Sequence, residues 1–286
     1  MTGYVIYDVF TTAPFGGNPL AVIPDATKLP EAALQRIARE FNLSETAFVY
    51  PPSDPSCHAR VRIFTPTQEL PFAGHPTIGT SIALFDLGLA PNEMQLELGV
   101  GPIPVTVAAG KARFVTPVPL TTWPDLPIDV VAASASLSEN DIRTNRHAPV
   151  IASVGMPFAF AEVRDRDALA AAHPQTDAFR AFEPNWPAKT HYDLVLYVRD
   201  GQNIRARMFA PLDGIPEDPA TGSAAAALAA YLGELDGRSQ SFTVDQGVEM
   251  GRPSRIEAEV IVSDRRSVAV AIAGSAVKMM DGRFAF

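Results

Sequence analysis

Two short loops hold the side chains best suited to chemistry. PFAGHPT at 71–77 places His75 between a glycine and a proline, and EDPATGS at 217–223 places Asp218 ahead of a proline. Each loop runs into an apolar stretch that reads as a buried helix, 77–87 and 223–232. A helix N-terminus presents unpaired amide N–H groups and the positive end of the peptide dipole, so it favours a carboxylate or charge developing beside one. Thr77, and Thr221 or Ser223, are placed to cap these helices. Capping explains the hydroxyls but not a histidine and an aspartate in equivalent loops. A third candidate is Glu45, in NLSET at 42–46 between an amphipathic helical stretch and a strand-like one. Spacing alone favours a turn carboxylate there. As a general base, it would have its pKa raised by apolar neighbours such as Phe48 and Phe72.

Other chemistries find less support. The turn FGGNP at 15–19 has neither G-x-G-x-x-G nor G-x-x-x-x-G-K-[ST], which argues against nucleotide binding. His58, His147, His173 and His191 show no metal-ligand spacing, so no metal is expected. The single cysteine, Cys57, excludes a disulfide framework, a thiolate zinc site and any reaction that needs two facing thiols.

The elements that must position these residues read as strand-rich. Apolar and β-branched runs at 4–10, 46–50, 58–64, 95–98, 103–108, 193–198, 204–209, 255–262 and 267–273 predict strands. The segment 30–41 predicts a helix with Leu34, Ile37, Ala38 and Phe41 on one face. The proline-rich stretch 116–127 is the best linker candidate. An internal repeat organises the rest. RIFTP at 62–66 lies over RMFAP at 207–211, an offset of 207 − 62 = 145, and at that offset Pro71 meets Pro216 and Gly88 meets Gly233. Each half therefore reads as a strand, a loop of about ten residues and a buried helix. The alanine-rich run at 223–230 fits a helix whose small side chains let a curved sheet approach.

Length and composition set the frame. The chain has 286 residues with 47% hydrophobic and 19% charged, enough apolar matter for one very large or two ordinary domains. Its net charge of −9 repels phosphate backbones, so nucleic acid is not an expected partner. The start MTGYVIYDVF has no secretory pattern and no apolar run reaches membrane-spanning length, so a cytoplasmic protein with no membrane partner is expected.

Several long segments, in order along nearly the whole chain, resemble the PhzF family, the phenazine-biosynthesis isomerases and their relatives on the diaminopimelate epimerase fold. They are DVFTTAPFGGNPLAV at 8–22, IAREFNLSETAFV at 37–49, RIFTP at 62–66, ELPFAGHPT at 69–77, DPATGSA at 218–224 and QGVEMGRP at 246–253. The resemblance implies an α+β fold of two pseudo-symmetric domains, each a curved, mostly antiparallel sheet wrapped around a central helix. The halves would be 1–118, with the strand 278–286 as an optional addition, and 128–277, with the active site in the cleft between them. By the same resemblance Glu45 moves a proton, His75 and Asp218 position the substrate and assist, and Ser44, Gly74, Gly222 and Ser223 bind its carboxylate and hydroxyl. The epimerase relatives use a cysteine at each helix start, whereas here Ala73 precedes Gly74. That departure points to carboxylate chemistry. The resemblance further implies a homodimer, no metal or organic cofactor, and a small carboxylic-acid substrate such as trans-2,3-dihydro-3-hydroxyanthranilate. The alternatives are another amino or hydroxy acid that is epimerised or isomerised, or a non-catalytic protein that binds a small acid.

Overall fold

The computed structural model describes residues 2–116, 119–123 and 126–286. The chain divides into two compact units, Met1–Val115 with Ile272–Phe286, and Thr116–Ala271.

In the first unit the elements run β1 (Gly3–Val9), β2 (Asn18–Ile23), α1 (Glu31–Phe41), β3 (Glu45–Tyr50), β4 (Ala59–Phe64) and β5 (Glu69–Leu70). They continue as α2 (Gly74–Asp86), β6 (Glu93–Leu98), β7 (Gly101–Ala108) and β8 (Lys111–Thr116). In the second unit come β9 (Thr121–Trp123), α3 (Ile128–Ala135), β10 (Val150–Ser153), β11 (Pro157–Glu162), α4 (Arg166–Ala171) and α5 (Thr176–Phe182). Then follow β12 (Leu194–Asp200), β13 (Asn203–Ala210), β14 (Ile215–Asp218), α6 (Gly222–Asp236), β15 (Gln240–Gln246) and β16 (Ser254–Ser263). The last strand, β17 (Arg266–Arg283), begins in the second unit and ends in the first.

Both units mix antiparallel neighbours with parallel pairs, and a helix lies between the strands of each parallel pair. In the first unit α1 links the parallel pair β2–β3, and α2 links β4–β6. In the second, α4 and α5 link β11–β12, and α6 links β13–β15. Parallel neighbours require such crossovers.

Two layers of helix result. Helix α1 buries one stripe, Leu34, Ile37 and Ala38, against Ile23, Phe48 and Phe64 on one face of β2–β3–β4. Its chain ends in a left-handed cap at Asn42 (φ 51°), which turns the backbone into β3. Helix α2 has no polar stripe to spare, for every residue from Gly74 to Leu84 is buried. Gly79 is the device that lets it settle: a Cβ there would lie 2.6 Å from both Leu20 and Val9 side-chain carbons of β2 and β1. In the second unit α6 is buried in the same way, while α3, α4 and α5 cover the opposite sheet face over Ala159, Ala161, Leu194, Leu196 and Phe209.

Three expectations change. The linker stretch 116–127 contains β9, which pairs with Ile151–Ser153 of β10, while residues 117, 118, 124 and 125 lie outside the described residues. Helix α2 starts at Gly74, three residues before the expected start, because Pro76 sits in a first turn that needs no amide donor. His75 is therefore a first-turn residue, not a loop residue. The loop of about ten residues expected after RMFAP contains β14, which adds as a short edge on β13 with Pro216 inside it.

Candidate active site

Glu45 opens β3, and strand alternation sends its side chain to the face opposite Phe48. Phe48 belongs to the cluster beneath α1 and stacks edge-on against Phe64 at 5.3 Å, so it does not line Glu45. Phe72 packs edge-on against Phe114 at 5.7 Å. Glu45 instead meets the first turn of α2. His75 Nδ1 lies 3.2 Å from Glu45 Oε2, with the two side chains 4% and 16% exposed.

Burial pushes the His75 pKa down to about 3, partly opposed by a hydrogen bond to the Pro19 backbone carbonyl. The contact is thus a neutral imidazole beside a carboxyl group, and no ion pair forms at neutral pH. Ser44, immediately before Glu45, donates its hydroxyl to Asn18 Oδ1 at 3.3 Å. Asn18 is fully buried at the start of β2. The turn at 15–19, read from sequence only for what it does not bind, thus supports two of the candidate residues through Asn18 and Pro19.

The hydroxyls expected to cap α2 and α6 do not. Thr77 turns back and donates to the Ala73 carbonyl at 2.7 Å. The residue before α6, Thr221, donates to Asp218 Oδ2 at 2.6 Å. Among the described residues, neither helix has a side-chain cap or a first-turn acid. Gly74 and His75 open α2, and Gly222 and Ser223 open α6, with amide donors that no cap claims.

Asp218 ends β14 and is buried. Gln246, at the end of β15, donates its Nε2 to the Asp218 carbonyl at 2.7 Å and to Thr221 Oγ1 at 2.9 Å. Gln246 lies inside the QGVEMGRP segment, but no spacing tied it to Asp218, 28 residues earlier. An acid that the sequence did not single out is Asp193, buried just before β12. Burial, and next the charges of Asp213, Asp218 and Glu183, push its pKa well above the usual carboxylate range. Cys57 is buried ahead of β4, and burial raises its pKa.

Residues 7–282 match the model of the PhzC-PhzF family, described as phenazine biosynthesis-like protein. The chain belongs to the PhzF family. This PhzF-family chain is 37% identical, over 97% of both chains, to the trans-2,3-dihydro-3-hydroxyanthranilate isomerase of Pseudomonas fluorescens. It is 36% identical, over 99% of both, to the enzyme of that name from Pseudomonas aeruginosa. A PhzF-family structure from Bacillus anthracis matches with a TM-score of 0.90 at 25% identity, covering 100% of this chain and 99% of that one. A hydroxyproline epimerase from Agrobacterium vitis shares the fold alone, with a TM-score of 0.65 at 16% identity over 98% of this chain and 91% of that one. The chain is an enzyme of the isomerase class, as these PhzF relatives are. No helix among the described residues is long and apolar enough to cross a membrane.

Proposed function

We propose that this PhzF-family enzyme moves a proton within a small cyclic or unsaturated carboxylic acid. Trans-2,3-dihydro-3-hydroxyanthranilate is the substrate suggested by the relatives' names. The observation that carries the reading is the Glu45–His75 contact of 3.2 Å at the uncapped start of α2. A half-buried carboxylate beside a helix start is suited to take a proton next to a carboxylate-bearing carbon, because the substrate's charge would meet the N–H dipoles of that helix start.

In the proposed sequence Glu45 breaks a C–H bond and holds the proton as a carboxylic acid while the substrate's electron pair delocalises into its unsaturation. Glu45 then returns the proton to another carbon on the same face, and the double bonds shift accordingly. Nothing is oxidised or reduced, so side-chain acids and bases suffice. Uncharged His75 and Asp218 position the substrate and assist the transfer, and Ser44, Gly74, Gly222 and Ser223 hold its carboxylate and hydroxyl. The proposal keeps the sequence expectation that the two halves are related by duplication and that their helix starts serve one substrate. A cytoplasmic homodimer is the working assembly proposed, and sedimentation equilibrium measures it.

The test is a proton NMR assay of trans-2,3-dihydro-3-hydroxyanthranilate with the enzyme in deuterated water. Conversion to an isomer of the same mass, or its deuterated form, is expected. An unchanged and unlabelled acid would remove this substrate. Label entering a different hydroxy or amino acid would select the alternative.

A further inference from the structure

The amide of Gln246 has only one orientation that satisfies its partners. Thr221 N can only donate, and it lies 3.3 Å from Gln246 Oε1. The Asp218 carbonyl can only accept, and it lies 2.7 Å from Gln246 Nε2. With Oε1 and Nε2 so fixed, the second Nε2 hydrogen goes to Thr221 Oγ1 at 2.9 Å. A hydroxyl has one hydrogen. Because Thr221 Oγ1 already accepts from Gln246, that hydrogen is directed to Asp218 Oδ2 at 2.6 Å.

The backbone next to Gln246 holds this arrangement close. Gly247 has φ 72°, and a Cβ there would come within 2.7 Å of the Pro219 carbonyl oxygen and 2.5 Å of the Arg252 carbonyl oxygen. The end of β15 is thereby pressed against the turn that follows Asp218, and Gln246 itself is only 2% exposed.

We infer that Gln246 and Thr221 are positioning residues for Asp218: they fix Oδ2 as a hydrogen-bond acceptor, so that any proton Asp218 takes up resides on Oδ1. The inference rests on the reading of Asp218 as a substrate-positioning residue. A carboxylate held by a donated hydroxyl hydrogen favours its charged form. Without the relay, Asp218 would rotate and hold protons more tightly. Asp193 is the buried acid whose pKa is raised by burial and by the charges of Asp213, Asp218 and Glu183, and the variants at Thr221 and Gln246 leave all four acids in place.

Two measurements on the full-length enzyme test this. The first is turnover of trans-2,3-dihydro-3-hydroxyanthranilate. Thr221→Val removes the hydroxyl at constant shape, and Gln246→Met removes both amide hydrogens. The bond from Thr221 reaches a charged group, worth about 1.5–3 kcal/mol, so Thr221→Val is expected to lower kcat/KM roughly 10- to 100-fold, whereas Gln246→Met removes bonds to neutral groups and is expected to lower it roughly 2- to 10-fold. Thr221→Ser restores the hydroxyl and recovers the loss. In an Asp218→Asn background neither change should add a comparable loss. A full additional loss there, or none in the single variants, overturns the inference. If Asp218→Asn is itself fully active, it is the assignment of Asp218 that fails.

The second measurement needs no substrate. The carboxyl ¹³C resonance of Asp218 is expected to titrate at higher pH in Thr221→Val and Gln246→Met than in the wild type or Thr221→Ser. One common titration curve for all four overturns the inference, even if this acid is not the substrate.

Discussion

A carboxylate serves as a proton shuttle only while its neighbours leave its charge available. His75 stands 3.2 Å from Glu45, yet burial keeps the imidazole uncharged down to about pH 3. The pair therefore has no positive charge to lock the carboxylate in place at neutral pH. Glu45→Gln keeps shape and hydrogen bonding but cannot accept a proton. General acid–base catalysis contributes about 10²–10⁴-fold, and kcat is expected to fall by that much while KM changes little. Steady-state kinetics check this, and near-wild-type turnover would move the base to Asp218. The same burial makes an acid-stability claim. Unfolded, the imidazole takes up a proton below about pH 6.5. Folded, it stays neutral to about 3. Between those limits the unfolded state binds more protons, so stability falls as pH falls, by at most about 1.4 kcal/mol per pH unit. His75→Asn never charges. Urea midpoints at pH 7 and pH 5 should therefore differ less for His75→Asn than for the wild type, and an equal difference would place the acid sensitivity elsewhere.

At the scale of elements, the close approach of α2 to β1 and β2 decides where Glu45 and His75 meet. The Cβ position of Gly79 lies 2.6 Å from carbons of Val9 and Leu20, both fully buried and without room to swing aside. Gly79→Val would gain a little helix propensity but overpack this contact, and costs of that kind run about 1–3 kcal/mol. The expected result is a lower thermal midpoint together with reduced turnover, because α2 carries His75; unchanged values of both would show that the helix can shift freely. What the sequence made legible follows the same line. Helix α1 and strands β1, β3 and β4 were readable because their apolar periodicity is local. The start of α2 was misread, since Pro76 resembles a stop signal until its place in a first turn is known. The Glu45 environment was partly readable and still missed: residues 45 and 48 of one strand must point to opposite faces. The Gln246–Asp218 bond was not readable, since a turn and a strand end 28 residues apart leave no periodic trace.

For the whole molecule, the path of the chain makes the first unit depend on its last residues. Strand β1 lies between β2 and the final stretch of β17, pairing from Gly3 with Arg283 to Val9 with Ala276. Phe284 adds packing, with ring centroids 5.4 Å from Tyr4 and 6.0 Å from Phe41. Ile272 is fully buried. A chain cut after Ala271 would leave one edge of β1 with unpaired backbone groups and would lose an aromatic contact of α1. Removing a buried large side chain alone costs about 2–5 kcal/mol, which is a large fraction of the roughly 5–15 kcal/mol that holds a domain folded. The truncated chain is therefore expected to lose hydrogen-exchange protection in β1, β2 and α1, while β12 and β13, whose pairing lies wholly in the second unit, keep theirs. Full protection of β1 in the shortened protein would mean that β2 alone can hold it. Loss of protection in both units would mean that they fold as one cooperative body, with β17 as the element that couples them.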